Sequence, residues 1–159
     1  MTASLHWSPD TGATARELLL FRIGAEFFAV DLAAVEEAIE VPDVHRLPDM
    51  PSAMLGVFTL RGRMLPVYSP AQCLDVSATT EAAVVLVMRR HGDQRVGLAV
   101  DDIEDVILLD PSMMHRPPMP DPDDTVLLGV ARHGAEPVGV VDAASLIAAC
   151  TAAPSSDTP

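Results

Sequence analysis

The sequence predicts an all-β protein with short helices, laid out as two small barrels packed together. Three observations carry this. First, apolar runs break four times at a glycine: Gly24 in "ELLLFRIGAEFFAVD", Gly62 in "LGVFTLRGRMLPVYS", Gly92 in "AVVLVMRRHGDQRVGLAVD" and Gly134 in "VLLGVARHGAEPVGVVD". Strand–turn–strand is the economical reading, because glycine supplies the positive φ that hairpin turns need. Second, the hairpins follow an A-B-A-B order with a period of roughly 70 residues. The first and third lead into similar segments, Val35-Glu36-Glu37-Ala38-Ile39 and Ile103-Glu104-Asp105-Val106-Ile107, while the second and fourth run into "PAQCL" and "AASLIAAC". Third, each pseudo-repeat, about 17–76 and about 82–149, is too short for a large core of its own. Two barrels burying a shared interface solve that problem, and a groove between them is a natural binding site.

Taken in order, residues 1–15 are rich in Ser, Thr, Ala, Pro and Asp and read as a disordered end, as does "TAAPSSDTP" at 151–159. The N-terminus has neither the basic nor the apolar region of a signal peptide. Helix is expected over 32–39, 70–75 and 143–150. In the first, Leu32, Val35 and Ile39 form an apolar stripe and Glu37 lies almost opposite it. A strand over 55–61 puts Phe58 and Leu60 toward the core, with Val57, Thr59 and Arg61 on the other face. Arg61 and Glu37 are therefore both expected on the outside. The segment 111–125, "PSMMHRPPMPDPDDT", carries five prolines that forbid regular pairing. It reads as a surface loop, with a partner-binding use of Met113, Met114 and Met119 as the alternative.

Composition narrows the function. The formal net charge of −13 disfavours a sequence-independent grip on nucleic acid or on an anionic membrane. The longest apolar run, "AAVVLVM" at 82–88, is far short of the roughly 20 residues that span a bilayer. Cys73 and Cys150 read as two isolated thiols, which fits a reducing cytoplasm better than a disulfide framework. The histidines have no ligand spacing, and no CxxC, HExxH, GxGxxG, Walker-type loop or GxSxG occurs. Lysine is absent. Carboxylate pairs such as Glu36-Glu37 and Asp101-Asp102 are adjacent, and adjacent residues on a strand or helix point different ways. No metal, cofactor or catalytic residue is implied, so a binding function is expected over an enzyme assembled from distant residues.

"LLLFRIGAEFFAVDLAAVEEAIEV" followed by "LPDMPSAMLGVFTLRGRMLPVYS" resembles the CheW-like coupling domain of bacterial chemosensory systems, and "VGLAVDDIEDVI" resembles the hairpin of its second lobe. The resemblance spans about 17–150 and keeps order and spacing. It implies two small five-stranded Src-homology-3-like β-barrel subdomains packed as one CheW-like domain. It also implies a non-catalytic adaptor, monomeric when free, that couples the cytoplasmic tips of methyl-accepting chemotaxis receptors to the regulatory domain of the histidine kinase CheA. Such an adaptor is cytoplasmic and recruited to membrane-associated receptor arrays, with no insertion of its own and no nucleic acid partner. Carried over by position, the family's arginine is Arg61 and its acid is Glu37, at the receptor-binding surface. Val35, Ala38, Val41 and Val100 would line an apolar groove for the receptor tip, and Gly56, Thr59 and Gly62 would support the hairpin or meet the kinase. Thr59 stands where the family usually has Asn, and Val67-Tyr68-Ser69-Pro70 where it has Val-Ile-Asp-Leu. A paralogue in a non-motility chemosensory pathway is the variant reading, and a barrel that binds a small ligand or peptide is the other alternative.

Overall fold

A computed structural model describes residues 15–77, 82–90, 94–116 and 126–152. The chain runs β1 (Arg16–Ile23), β2 (Glu26–Asp31), a 3-10 turn (Leu32–Ala34), β3 (Val35–Glu40), β4 (Met54–Leu60), β5 (Arg63–Tyr68), β6 (Val84–Arg89) and β7 (Arg95–Val100). It continues through β8 (Asp102–Leu109), a second 3-10 turn (Pro111–Met113), β9 (Leu127–His133), β10 (Glu136–Val141) and α1 (Ala143–Ala152). The all-β class with short helices holds. Among the described residues no helix is long and apolar enough to cross a membrane.

The strands form two five-stranded sheets, ordered β8-β1-β2-β10-β9 and β3-β6-β7-β5-β4. Exchanging β1–β5 for β6–β10 converts one order into the other, so the repeat read from the sequence is a true pseudo-two-fold of the fold. The sheets do not, however, coincide with the contiguous halves 17–76 and 82–149. Each sheet begins with the first hairpin of one repeat and is completed by the last three strands of the other. Each sheet has two seams between the repeats, one antiparallel (β1·β8 and β3·β6) and one parallel (β2·β10 and β5·β7). Both sheets curl. The chain leaving one edge strand bridges the opposite edge strand, His45 to Val57 in one sheet and His115 to Val130 in the other.

Burial follows from this curling. Along β1, Leu19, Phe21 and Ile23 enter a central core, while Leu18 and Leu20 enter a smaller core private to their sheet. In β6 the same alternation sends Leu86 and Met88 to the central core and Val85 and Val87 to the second private one. Such strands are apolar on both faces, which explains runs like "VVLVM" without alternation. The central core, with Leu98, Val100, Val141, Leu146 and Cys150, joins the two sheets and α1. Helix α1 starts on Asp142, whose Oδ2 accepts from the Ser145 N–H at 3.0 Å and from Ser145 Oγ at 2.6 Å.

Several expectations are corrected. The helix over 32–39 is a single 3-10 turn followed by strand β3, whose edge pairs with β6. The register slips between Val35 and Glu37, so Glu36 is a bulge residue. One extra residue turns a period of two into the spacing of Leu32, Val35 and Ile39, which mimics a helix. Residues 70–75 make turns, with the Leu74 N–H bonded to the Pro70 carbonyl at 3.0 Å, and no helix. Val57 is buried as Phe58 is, although alternation puts the two on opposite faces, so both faces of β4 are covered at this point. Thr151 and Ala152 belong to α1 rather than to a disordered tail. The turn at Gly92, Met119 and most of 111–125 lie outside the described residues. Met114 is buried in a private core, so of the loop methionines described only Met113 is exposed.

Candidate interaction surface

Hairpin β4–β5 turns through two residues, Arg61 and Gly62, at φ 48° and 83°. Positive φ at both central positions is the signature of the type I′ turn, whose twist suits a two-residue hairpin. Asn, Asp and Gly are the residues that adopt it cheaply. An arginine there is unusual, since a left-handed backbone costs an L-residue about 1–2 kcal/mol. The turn geometry aims the Arg61 side chain toward β3. Its guanidinium meets Glu37 in a two-pronged ion pair, Nη1 to Oε1 at 3.3 Å and Nη2 to Oε2 in close contact. The Arg61 side chain is 65% exposed and that of Glu37 28%.

The β3 bulge extends this cluster. Adjacent carboxylates on a regular strand diverge, but the extra residue lets Glu36 reach the same arginine-rich side as Glu37. Glu36 Oε2 is buried and faces Arg95 in close contact and Arg89 at 3.9 Å, held by charge rather than by an aligned hydrogen bond. Beside it opens a cleft of about 570 Å³ whose lining includes Glu36, Arg61, Arg63, Arg90 and Arg95 over an apolar floor of Leu65, Val87 and Val96. With Arg89 next to it, five of the chain's arginines gather here on a protein of net charge −13. Sequence reasoning singled out Arg61 and Glu37 and missed Glu36, Arg63, Arg90 and Arg95. The crowding of arginine into 61–95 was the available signal.

The other site residues divide. Gly56 sits where the His45 segment crosses β4, at φ 150°, and a Cβ there would lie 2.4 Å from the His45 carbonyl oxygen. It is a support. Gly62 faces open space and serves the turn, and Thr59 is exposed beside it. Ala38 and Val41 are exposed at the β3 edge, while Val35 is half-buried against the central core. Val100 is only 1% exposed, so it cannot line a groove. Its strand lies inside the sheet with both faces covered. With Val100 buried, Val35, Ala38, Val41 and Val100 do not together line the expected apolar groove, and the cleft beside Glu36 is rich in arginine instead.

On the other sheet His133, the last residue of β9, stands 4.0 Å from Asp105 of β8, but the position that corresponds to Arg61 is Gly134, so the Arg61–Glu37 pair has no symmetric copy there. Among the described residues no cluster of His, Cys, Asp and Glu is arranged to hold a metal.

Two curled five-stranded sheets sharing one core, with charged side chains presented at hairpin tips, define a two-lobed β scaffold of the protein-interaction class. The CheW-like domain family matches residues 17–150, and the chain belongs to that family. Curated relatives include "Probable chemotaxis protein CheW" of Rhizobium etli, 33% identical over 65% of this chain and 67% of that one, and "Chemotaxis protein CheW" of Rhizobium meliloti, 31% identical over 68% of each. "Protein PilI" of Pseudomonas aeruginosa is 33% identical over 52% of this chain and 47% of its own length. The crystal structure of the scaffolding protein TtCheW from Thermoanaerobacter tengcongensis has the same fold, with a TM-score of 0.73 at 21% identity over 83% of this chain and 92% of that one. The family is one of chemotaxis coupling adaptors, and that is the function of this chain.

Proposed function

We propose that this adaptor joins the cytoplasmic tip of methyl-accepting receptors to the regulatory domain of the histidine kinase CheA, and that Arg61 and Glu37 form part of the receptor-facing surface. The observation that carries the reading is the backbone of Arg61. An exposed ion pair contributes at most about 1 kcal/mol. A left-handed arginine costs about as much or more, so the pair does not explain why arginine occupies the turn. A side chain held there at no gain in stability is a side chain kept for an outside partner. The cleft beside it, with its guanidinium groups, fits an acidic segment of that partner, because guanidinium forks match carboxylates. Recruitment to receptor arrays from the cytoplasm follows from the same reading.

The test is reconstitution of the adaptor with receptor and kinase. Arg61→Glu is expected to abolish receptor-coupled kinase activation while the protein stays folded. Normal coupling by the folded variant overturns the role of Arg61. Failure of the unaltered chain to retain the CheA regulatory domain in a pull-down overturns the kinase partner. The similarity to Protein PilI favours a second reading, an adaptor of a non-motility chemosensory pathway, which the identity of the kinase retained by the chain decides.

A further inference from the structure

Cys73 and Cys150 are 77 residues apart, yet their Sγ atoms lie 3.5 Å from each other. Cys73 is on the turn that follows β5, and Cys150 is on α1, which follows β10. The two sulfurs thus meet where the ends of the two sheets come together. Cys150 is wholly buried in the central core, and Cys73 is partly open to solvent. Neither position is a metal site, and neither thiol has a part in the interaction surface.

We propose that Cys73 and Cys150 form a peroxide-sensitive dithiol that closes to an intramolecular disulfide. The thiolate sulfur of Cys73, the one that solvent reaches, attacks a peroxide oxygen. The O–O bond breaks, hydroxide leaves and is protonated to water, and Cys73 becomes a sulfenic acid. The sulfur of Cys150 then attacks the Cys73 sulfur. The S–S bond forms as the S–O bond breaks, and the departing hydroxide takes the Cys150 proton as a second water. Two thiols and one hydrogen peroxide give one disulfide and two waters, and the sulfurs surrender two electrons.

The order of events follows from the surroundings. Burial, with the neighbouring Cys73 adding to it, pushes the Cys150 thiol well above its ordinary range, so Cys150 stays protonated and unreactive toward solutes. It serves as the resolving thiol. A disulfide needs its sulfurs about 2.05 Å apart, so they must approach by about 1.5 Å. Side-chain rotation at Cys73 supplies this, with give in a turn held by the Leu74, Asp75 and Val76 amides bonded back to Pro70, Gln72 and Ala71. The product ties the turn after β5 to α1 and staples the two sheets across their shared core.

Intact reduced protein treated with hydrogen peroxide, then alkylated and digested, tests this. The expected product is monomeric, lighter by two hydrogens, with the Cys73 and Cys150 peptides cross-linked and both alkylation sites lost together. Reductant reverses it, and the melting midpoint rises in the oxidised form. Cys150→Ala should halt at a Cys73 sulfenic acid that dimedone traps, and Cys73→Ala should leave Cys150 alkylatable on unfolding after peroxide. A folded protein whose two cysteines both survive peroxide overturns the proposal. So does oxidation of Cys73 alone, or a Cys73-linked dimer, with Cys150 still free. If the Cys150→Ala cavity prevents folding, the cross-link in the unaltered chain decides by itself.

Discussion

Arg61 reaches from the tip of the β4–β5 hairpin to Glu37 on the edge strand β3, 24 residues earlier, and both guanidinium nitrogens face both carboxylate oxygens. The strand carrying Glu37 and the hairpin carrying Arg61 lie at opposite edges of one sheet. The ion pair therefore spans the curl of the sheet rather than linking neighbours along it.

Arg61→Gly should separate stability from function. It removes an exposed pair worth at most about 1 kcal/mol and relieves a left-handed cost of about 1–2 kcal/mol. The urea midpoint is expected to stay level or rise, while receptor-coupled kinase activation falls. A marked loss of stability would show that the pair holds the curl together.

Glycine substitutions should rank by what surrounds them. Gly56→Ala would drive a Cβ to within 2.4 Å of the His45 carbonyl, at φ 150°, and is expected to cost at least about 2 kcal/mol and to loosen the His45–Val57 bridge. The pseudo-equivalent Gly129→Ala meets Met114 Cγ at 2.5 Å and the His115 carbonyl at 2.8 Å, and should be comparably harmful. Gly62→Ala meets nothing within 4 Å and should cost about 1 kcal/mol, the left-handed penalty alone. Chemical denaturation of the three variants checks the order.

Arg63 and Arg90 line the cleft without an ion pair among the described residues. Replacing both with Gln should leave the melting midpoint within about a degree or two, since exposed charges contribute little to folding. Association with an acidic partner should slow, and its dependence on salt should flatten, because steering charges act on the on-rate. Surface-binding kinetics at two ionic strengths read this directly.

Asp101 is the buried carboxylate that closes the β1–β2 turn onto the corner between β7 and β8. Its Oδ2 accepts the Gly24 N–H at 2.6 Å and stands 3.9 Å from Arg22 Nη1, while its own N–H donates to the Arg22 carbonyl. Asp101→Ala leaves the Gly24 donor without its acceptor and is expected to cost about 2–3 kcal/mol. Asp101→Asn keeps an acceptor and should cost less. Urea unfolding of the pair measures the difference.

Much of this molecule was legible from residue order. Glycine turns located hairpins, because the backbone of a tight turn admits few other residues, and the recurrence of Val35–Ile39 in Ile103–Ile107 announced the pseudo-two-fold. The family position of Arg61 followed from the surrounding motif, but its outward placement was not set by the alternation invoked for it: Arg61 lies beyond β4 in a left-handed turn, and Val57, on the same expected face, is buried. The strand at Val35–Glu40 was not legible, since the bulge at Glu36 imitates helical spacing and only pairing with β6 distinguishes the two. Burial of Val100 was equally hidden: a β-strand covered on both faces looks, in sequence, like one that lines a groove.

What the sequence by itself determined is local: which residues turn and which alternate. Those properties depend on dihedral preference and period, both written within a few residues. Only the tertiary structure decided that the repeats exchange strands, that arginines scattered from 61 to 95 converge on one cleft, and that Cys73 and Cys150 lie sulfur to sulfur. These are contacts between distant segments. They depend on how two curled sheets bury a common core, which no local pattern specifies.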